Sequence, residues 1–132
     1  MPMDRPEFLS LADVLTIHED QIDRYGGSHG IRDQGLLESA LAQPPATFGG
    51  EYLHLGLYEM AAAYLYHIVQ NHPFIDGNKR VGAVSAYVFL RMNGIELVSS
   101  EEAIESLVLA VASGQAHKAQ AAAFFEQHSR PV

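Results

Sequence analysis

LYEMAAAYLYHIVQNHPFIDGNKRVGAVSAYVFLRM, residues Leu57 to Met92, is the stretch whose reading decides the fold. Leu57, Met60, Ala61, Tyr64, Leu65, Ile68 and Val69 recur at spacings of three and four. That period predicts a helix with one apolar stripe, ending near His72 because Pro73 pushes the residue before it out of the α region. A second helix is expected from near Asn78 to about Met92. Val81, Val84, Val88 and Met92 mark one face, and Ala83, Ala86, Tyr87 and Leu90 fill much of the rest. A helix apolar nearly all round is the buried centre of a bundle. Asn93-Gly94 ends it.

Working outward, Ser10 followed by Asp13 has the form of an N-cap with an acidic first turn. Leu11, Val14, Leu15, His18 and Ile22 then share a helical face, and Gly26-Gly27 stops the helix. Ser28 to Arg32 reads as loop. Asp33 caps a short helix through Leu36, Leu37, Ala40 and Leu41, which Pro44-Pro45 ends. Ala46 to His54, with paired glycines among aromatic and β-branched residues, reads as a small hairpin and is the only stretch expected to form strand. Ser100 precedes the acidic pair Glu101-Glu102 and a helix carrying Ile104, Leu107, Val108 and Val111, closed by Ser113-Gly114. A last helix is expected from Lys118 to His128 with Ala119, Ala123 and Phe124 inward. No repeat, low-complexity tract or linker interrupts the chain. The expectation is an all-α domain over residues 1–132, packed around one buried helix, with a hairpin flap near Phe48.

Bulk composition agrees. The chain has 132 residues, 48% of them apolar and 18% charged, which suits one globular core and not a disordered tail. No apolar run reaches the roughly 18 residues of a membrane span, and the N-terminus lacks the basic-then-apolar layout of a signal peptide. The absence of cysteine excludes disulfides and thiolate metal sites. A cytoplasmic protein is expected. The formal charge of −8 disfavours general nucleic-acid binding. Yet Lys79, Arg80 and Arg91 are three of only eight Lys and Arg residues, and they lie close together. They mark either a local anion site or a solvated helix end.

The loop His72-Pro73-Phe74-Ile75-Asp76-Gly77-Asn78-Lys79-Arg80 joins the two central helices and carries the chemistry. An imidazole at His72 titrates near neutrality and can take a proton from an attacking hydroxyl. Phe74 and Ile75 are expected to anchor the loop in the core. Asp76 offers hard oxygen ligands suited to Mg2+. Gly77 lets the backbone turn tightly. The free N–H groups at the start of the second helix favour anions, and Lys79 and Arg80 add charge there. Basic residues in a first turn oppose the helix dipole by a few tenths of a kcal/mol each, a cost that a bound anion would offset. A base, a metal carboxylate and an anion nest within nine residues are the parts for moving a phosphoryl group. From the residues alone a plainer reading also stands: Asp76 or Asn78 caps the helix, and Lys79 and Arg80 point into water.

The other histidines are weaker candidates. His18 sits on an apolar face and reads as a satisfied core histidine. His67 lies five residues before His72, not the spacing of four that places two zinc ligands on one helix face. His29, His54, His117 and His128 read as loop or surface. No Gly-rich P-loop or Gly-x-Ser-x-Gly elbow occurs.

The loop from His72 to Arg80 resembles the signature of the Fic/Doc family. Gly30-Ile31-Arg32-Asp33, Gly35 to Leu41, and Pro44 to Gly50 resemble the Doc branch, so the likeness runs from about Leu11 to Gly114. It implies a helical fold in which the motif loop precedes a central helix. It further implies His72 as base, Asp76 on Mg2+, and Gly77, Asn78, Lys79 and Arg80 on the phosphates of ATP. His72, Lys79 and Arg80 are the implied catalytic set. Thr47, Phe48, Gly49 and Gly50 become the flap that positions the target segment by β-type pairing. Lys79 stands where adenylylating members carry a second glycine. Doc-type members carry this lysine and transfer the γ-phosphate to elongation factor Tu, blocking translation. The resemblance therefore favours a toxin kinase over an AMP transferase or a non-catalytic binding module. No inhibitory Ser/Thr-x-x-x-Glu-Gly/Asn segment is present, so restraint is expected from a separate antitoxin whose tail helix lies in the toxin groove. Neither nucleic acid nor membrane is an expected partner.

Overall fold

A computed structural model describes residues 5–132; residues 1–4, the start of the stretch read as lacking a signal peptide, lie outside it. Local side-chain chemistry sets the ends of the helices. Helix α1 (Leu11–Tyr25) opens with a capping box: Ser10 Oγ accepts from the Asp13 amide at 3.1 Å, and the Asp13 carboxylate accepts from the Ser10 amide at 2.8 Å. In α2 (Gln34–Ala42) the Asp33 carboxylate accepts from the Leu36 amide at 2.9 Å. The hairpin is β1 (Thr47–Phe48) against β2 (Glu51–Tyr52), turned at Gly49-Gly50. Helices α3 (Leu57–Asn71) and α4 (Asn78–Met92) flank the motif loop. Strand β3 (Ile95–Leu97) leads to α5 (Glu101–Ala112), capped by Ser100, and α6 (Lys118–Gln127) precedes β4 (Ser129–Pro131). Among the described residues no helix is long and apolar enough to cross a membrane.

The helical fold with a hairpin flap is as expected, with three differences. The hairpin is not the only strand structure, since β3 pairs antiparallel with β4 and ties the two chain segments after α4 and α6 together. The central position is shared: α3 packs against α2, α4, α5 and α6, and every residue from Met60 to Leu65 is buried, whereas α4 exposes Lys79, Tyr87, Arg91 and Met92. In α6 the inward residues are Ala121, Ala122 and Phe125; Ala119 and Ala123 face solvent and Phe124 is half-buried.

The α3–α4 contact is the most extensive between two helices. A Cβ on Gly82 would lie 3.0 Å from Val69 Cγ2 and 3.3 Å from the Leu65 carbonyl oxygen. Glycine inside a helix costs about 1 kcal/mol relative to alanine, and here it allows backbone approach. Tyr64 is buried below this contact, and its hydroxyl accepts the Leu9 amide at 2.9 Å. Burial pushes its phenol up to about 12. Phe8 stacks on Phe89 and tilts against Tyr52, so the segment before α1 closes the base of the flap.

Lys118, at the start of α6, lies 3.0 Å from His67 Nε2 on α3 and 3.3 Å from His54 Nε2 after the hairpin. His54, read as loop or surface, lies in the loop after the hairpin and is half-buried there. An ammonium only donates, so both Nε2 atoms accept and both rings are neutral. Burial, then the charge of Lys118, lowers His54. Burial, then Lys118 and His54, lowers His67 to about 4.

Two outcomes are expected. Gly82→Val should destabilise the protein by roughly 1–3 kcal/mol through overpacking, read as a lower urea midpoint at unchanged slope, with Gly82→Ala milder. His67 titrates near 6.5 when unfolded and about 4 when folded. The unfolded chain thus binds more protons between those values, and this contribution is fully present above 6.5 and drains as pH falls toward 4. Urea unfolding at pH ~7 and ~5 should show a smaller loss of stability in His67→Phe than in the native chain; equal losses would remove His67 as the cause.

Candidate active site

His72 is the C-cap of α3, with φ 49° and ψ 54°, and is the only non-glycine residue with positive φ among those described. Its main chain stays tied to the helix through a hydrogen bond donated by its amide to Ile68 O at 3.1 Å. The residue is exposed, and no hydrogen bond engages its ring. The imidazole is therefore left open to solvent.

The loop after it is clamped from two sides. Asn78 Oδ1 accepts from the Phe74 amide and Asn78 Nδ2 donates to the Phe74 carbonyl, each at 2.9 Å. Each polar end of that buried side chain thus makes a bond within the loop, and its main-chain N–H has no protein acceptor. Phe74 is fully buried and stacks on His18 at 3.9 Å between centroids. Ile75, expected in the core beside it, is 54% exposed and lies over Gly30. From the other side, the Arg32 and Asp33 amides both donate to Pro73 O, at 2.7 and 3.0 Å, and the Ile75 amide donates to Gly30 O at 3.1 Å. The Arg32 guanidinium reaches His72 O at 2.6 Å and Asn71 O at 3.0 Å. These bonds from the loop at 30–33 are invisible in the sequence, because about forty positions separate the partners.

His18 is a satisfied core histidine, as expected, but its partner is the site itself: Nε2 donates to Asp76 O at 2.9 Å. The Asp76 carboxylate accepts from the Gly77 amide at 2.9 Å and the Ser28 amide at 3.2 Å. Each oxygen has lone-pair capacity beyond its one bond. No group of three or more metal-ligating side chains exists among the described residues. A single carboxylate suits Mg2+, which takes one or two protein carboxylates and completes its shell with phosphate and water.

Helix α4 starts at Gly77, which has φ 82° and no side-chain cap. A Cβ there would be strained by that φ and would press on Ile22 Cδ1 at 3.2 Å. The Asn78, Lys79 and Arg80 amides have no protein acceptor. Helices α1, α3 and α5 place acidic residues in their first turns, and α4 places Lys79 and Arg80 there instead. Arg80 is held by Gly26 O at 3.1 Å and lies over the Tyr25 ring at 5.5 Å, while Lys79 is exposed. Both border a groove of about 510 Å³ between α1, α4 and α5, floored by Ala83, Val84, Ile104 and Val108. The plainer alternative, in which Asp76 or Asn78 caps α4, is not what forms.

The flap residues Thr47, Phe48, Gly49 and Gly50 are all exposed, Phe48 to 80%. Strand β1 pairs only with β2 in this two-stranded sheet, which leaves unpaired edge groups for an added strand.

Residues 8–90 match the model of the Fic/DOC family. The chain is 40% identical over 93 residues to Toxin Doc of Mycolicibacterium smegmatis, spanning 70% of this chain and 69% of that protein. It is 34% identical over 107 residues to Protein kinase doc of Escherichia phage P1, spanning 81% and 83% respectively. With the flap, α3, the motif loop and all but the last two residues of α4 inside the matched span, this chain belongs to the Fic/Doc family, in its Doc branch.

Proposed function

We propose that residues 1–132 act as one Doc-like toxin domain that transfers the γ-phosphate of ATP to a Ser or Thr hydroxyl of a target protein, elongation factor Tu being the candidate, and so blocks translation. The observation that carries this reading is the start of α4: three amides without protein acceptors, a lysine and an arginine, next to a loop that holds an exposed imidazole. The relative named Protein kinase doc supports phosphoryl over adenylyl transfer. So does Lys79, whose charge and bulk stand where a glycine leaves room for the nucleotide in the opposite orientation.

In this reading the flap edge takes up the target segment as an extra strand and brings its hydroxyl to His72. The imidazole accepts the hydroxyl proton as oxygen bonds to the γ-phosphorus. The bond from that phosphorus to the bridging oxygen breaks, and ADP leaves. Arg80, Lys79 and the α4 amides stabilise the charge spread over the transferring group. Asp76 would hold Mg2+, which supplies neutralisation of phosphate charge when bound. The groove between α1, α4 and α5 is the proposed seat of an antitoxin tail helix, its apolar floor accepting one helix face and Lys79 and Arg80 at its rim pairing with carboxylates. Activity is proposed for the cytoplasm, with no direct nucleic-acid or membrane partner.

The test is transfer of label to protein in a bacterial lysate and to purified elongation factor Tu, from ATP labelled at either the α or the γ position. Label from γ alone is expected, falling ~10²–10⁴-fold in His72→Ala and strongly in Asp76→Ala. Label from α would make the protein an adenylyltransferase. Growth arrest that is equal in the native chain and His72→Ala, with no label from either position, would leave a binding module.

A further inference from the structure

We infer that Arg32 is a positioning residue for His72, setting the direction of its side chain through the main chain. This rests on the transferase reading above. A catalytic imidazole is commonly oriented by a carboxylate on its second nitrogen. Here no such partner exists among the described residues, since the His72 ring makes no hydrogen bond and stands in solvent. Its direction then follows from its backbone, and that backbone is in an unusual state.

The left-handed conformation of His72 (φ 49°, ψ 54°) costs a residue with a Cβ roughly 1–2 kcal/mol. Pro73 discourages the right-handed alternative but leaves extended conformations open. Something must select against those, and Arg32 is placed to do it. Its Nη2 donates to Asn71 O at 3.0 Å, its Nε donates to His72 O at 2.6 Å, and its amide donates to Pro73 O at 2.7 Å. One residue thus holds three successive carbonyls. The first two belong to the peptide planes on either side of the His72 Cα, and fixing both planes fixes the direction of Cα–Cβ. The first plane is tied again from its other end by the His72 amide on Ile68 O at 3.1 Å.

The planar fork matters. Two N–H groups of one guanidinium diverge at a fixed angle to reach adjacent carbonyls, which a lysine ammonium cannot reproduce. Arg32 is itself exposed, so its side chain is not needed to fill the core, and its removal should leave the fold intact. Freed from it, the His72–Pro73 peptide can swing toward extended geometry and carry the imidazole with it. A misplacement of about 1 Å is worth on the order of 10²-fold in rate.

The test measures Arg32→Ala and Arg32→Lys by γ-phosphate transfer, by binding of a fluorescent ATP analogue, and by the Cα and Cβ chemical shifts of His72, which report its backbone angles. In Arg32→Ala, kcat should fall ~10²-fold, ATP affinity should stay within about twofold, and the His72 shifts should leave left-handed values. Arg32→Lys should recover only part of the rate. Unmoved shifts together with unmoved kcat would overturn the inference, as would a joint fall of kcat and ATP affinity matching an unfolded fraction. If the native chain transfers no phosphate but Arg32→Ala still moves the His72 shifts, the positioning role stands and the kinase reading falls.

Discussion

The Asn78 carboxamide closes a ring on the Phe74 main chain, accepting its N–H and donating to its C=O, both at 2.9 Å. Everything chemical in the molecule hangs on that closure. It sets where α4 begins, so it decides which amides are left without acceptors. It also buries Phe74 against His18, and His18 in turn holds the Asp76 carbonyl. A buried amide with both ends paired is costly to disturb, because opening it strands polar groups on both sides. The loop is therefore rigid where it joins the core, while His72, Asp76 and Lys79 remain exposed along it.

The electrostatics of α4 follow from that geometry. Helices α1, α3 and α5 follow the helix dipole, with Asp13, Glu59, Glu101 and Glu102 in first turns. At α4 the rule is reversed by Lys79 and Arg80, and Gly77 offers no side chain to satisfy the amides. A protein with a formal charge of −8 thus concentrates positive potential at one helix end. Glu101 and Glu105 on α5 line the same groove as Lys79 and Arg80 on α4, from across it. Field lines between such walls are focused by the low dielectric around them, which favours an anion at the α4 end of the groove over one at the α5 end.

Most of this architecture was legible because its signals are local. Ser10 and Asp33 cap their helices as expected, Glu101 and Glu102 form the expected acidic first turn, Gly26 and Asn93 end helices as expected, and Pro73 marks the break after α3. The misreadings come where local signal is thin. Ile95–Leu97 and Ser129–Pro131 are three residues each, too short to show an alternation, and they pair only because tertiary packing brings them together. In α6 the run Ala121-Ala122-Ala123 has no contrast between faces, so the inward side was assigned a residue or two off. Ile75 is apolar but follows a residue already filling the available core space, and it caps Gly30 instead.

In the site, residue identities could be read but not all their duties. The motif named His72, Asp76, Asn78, Lys79 and Arg80, but only coordinates reveal that the Asn78 side chain is buried and bonded to the Phe74 main chain. Partners distant in sequence left no trace: Ser28 on the Asp76 carboxylate, Lys118 between His54 and His67, Arg32 on His72. The Arg32 contact also explains why a strained histidine can be tolerated at a helix end where glycine or asparagine is usual. Glycine would relax the backbone and remove the imidazole with it. Keeping a Cβ and an imidazole at that corner requires an external grip on the adjacent carbonyls, and the loop at 30–33 provides it from a segment that is otherwise free of regular structure apart from one bridge, Ile31 to Phe74. The strain at His72 and the grip of Arg32 are therefore one feature of the fold: neither fills the core, and together they fix the direction in which the side chain of His72 leaves the main chain.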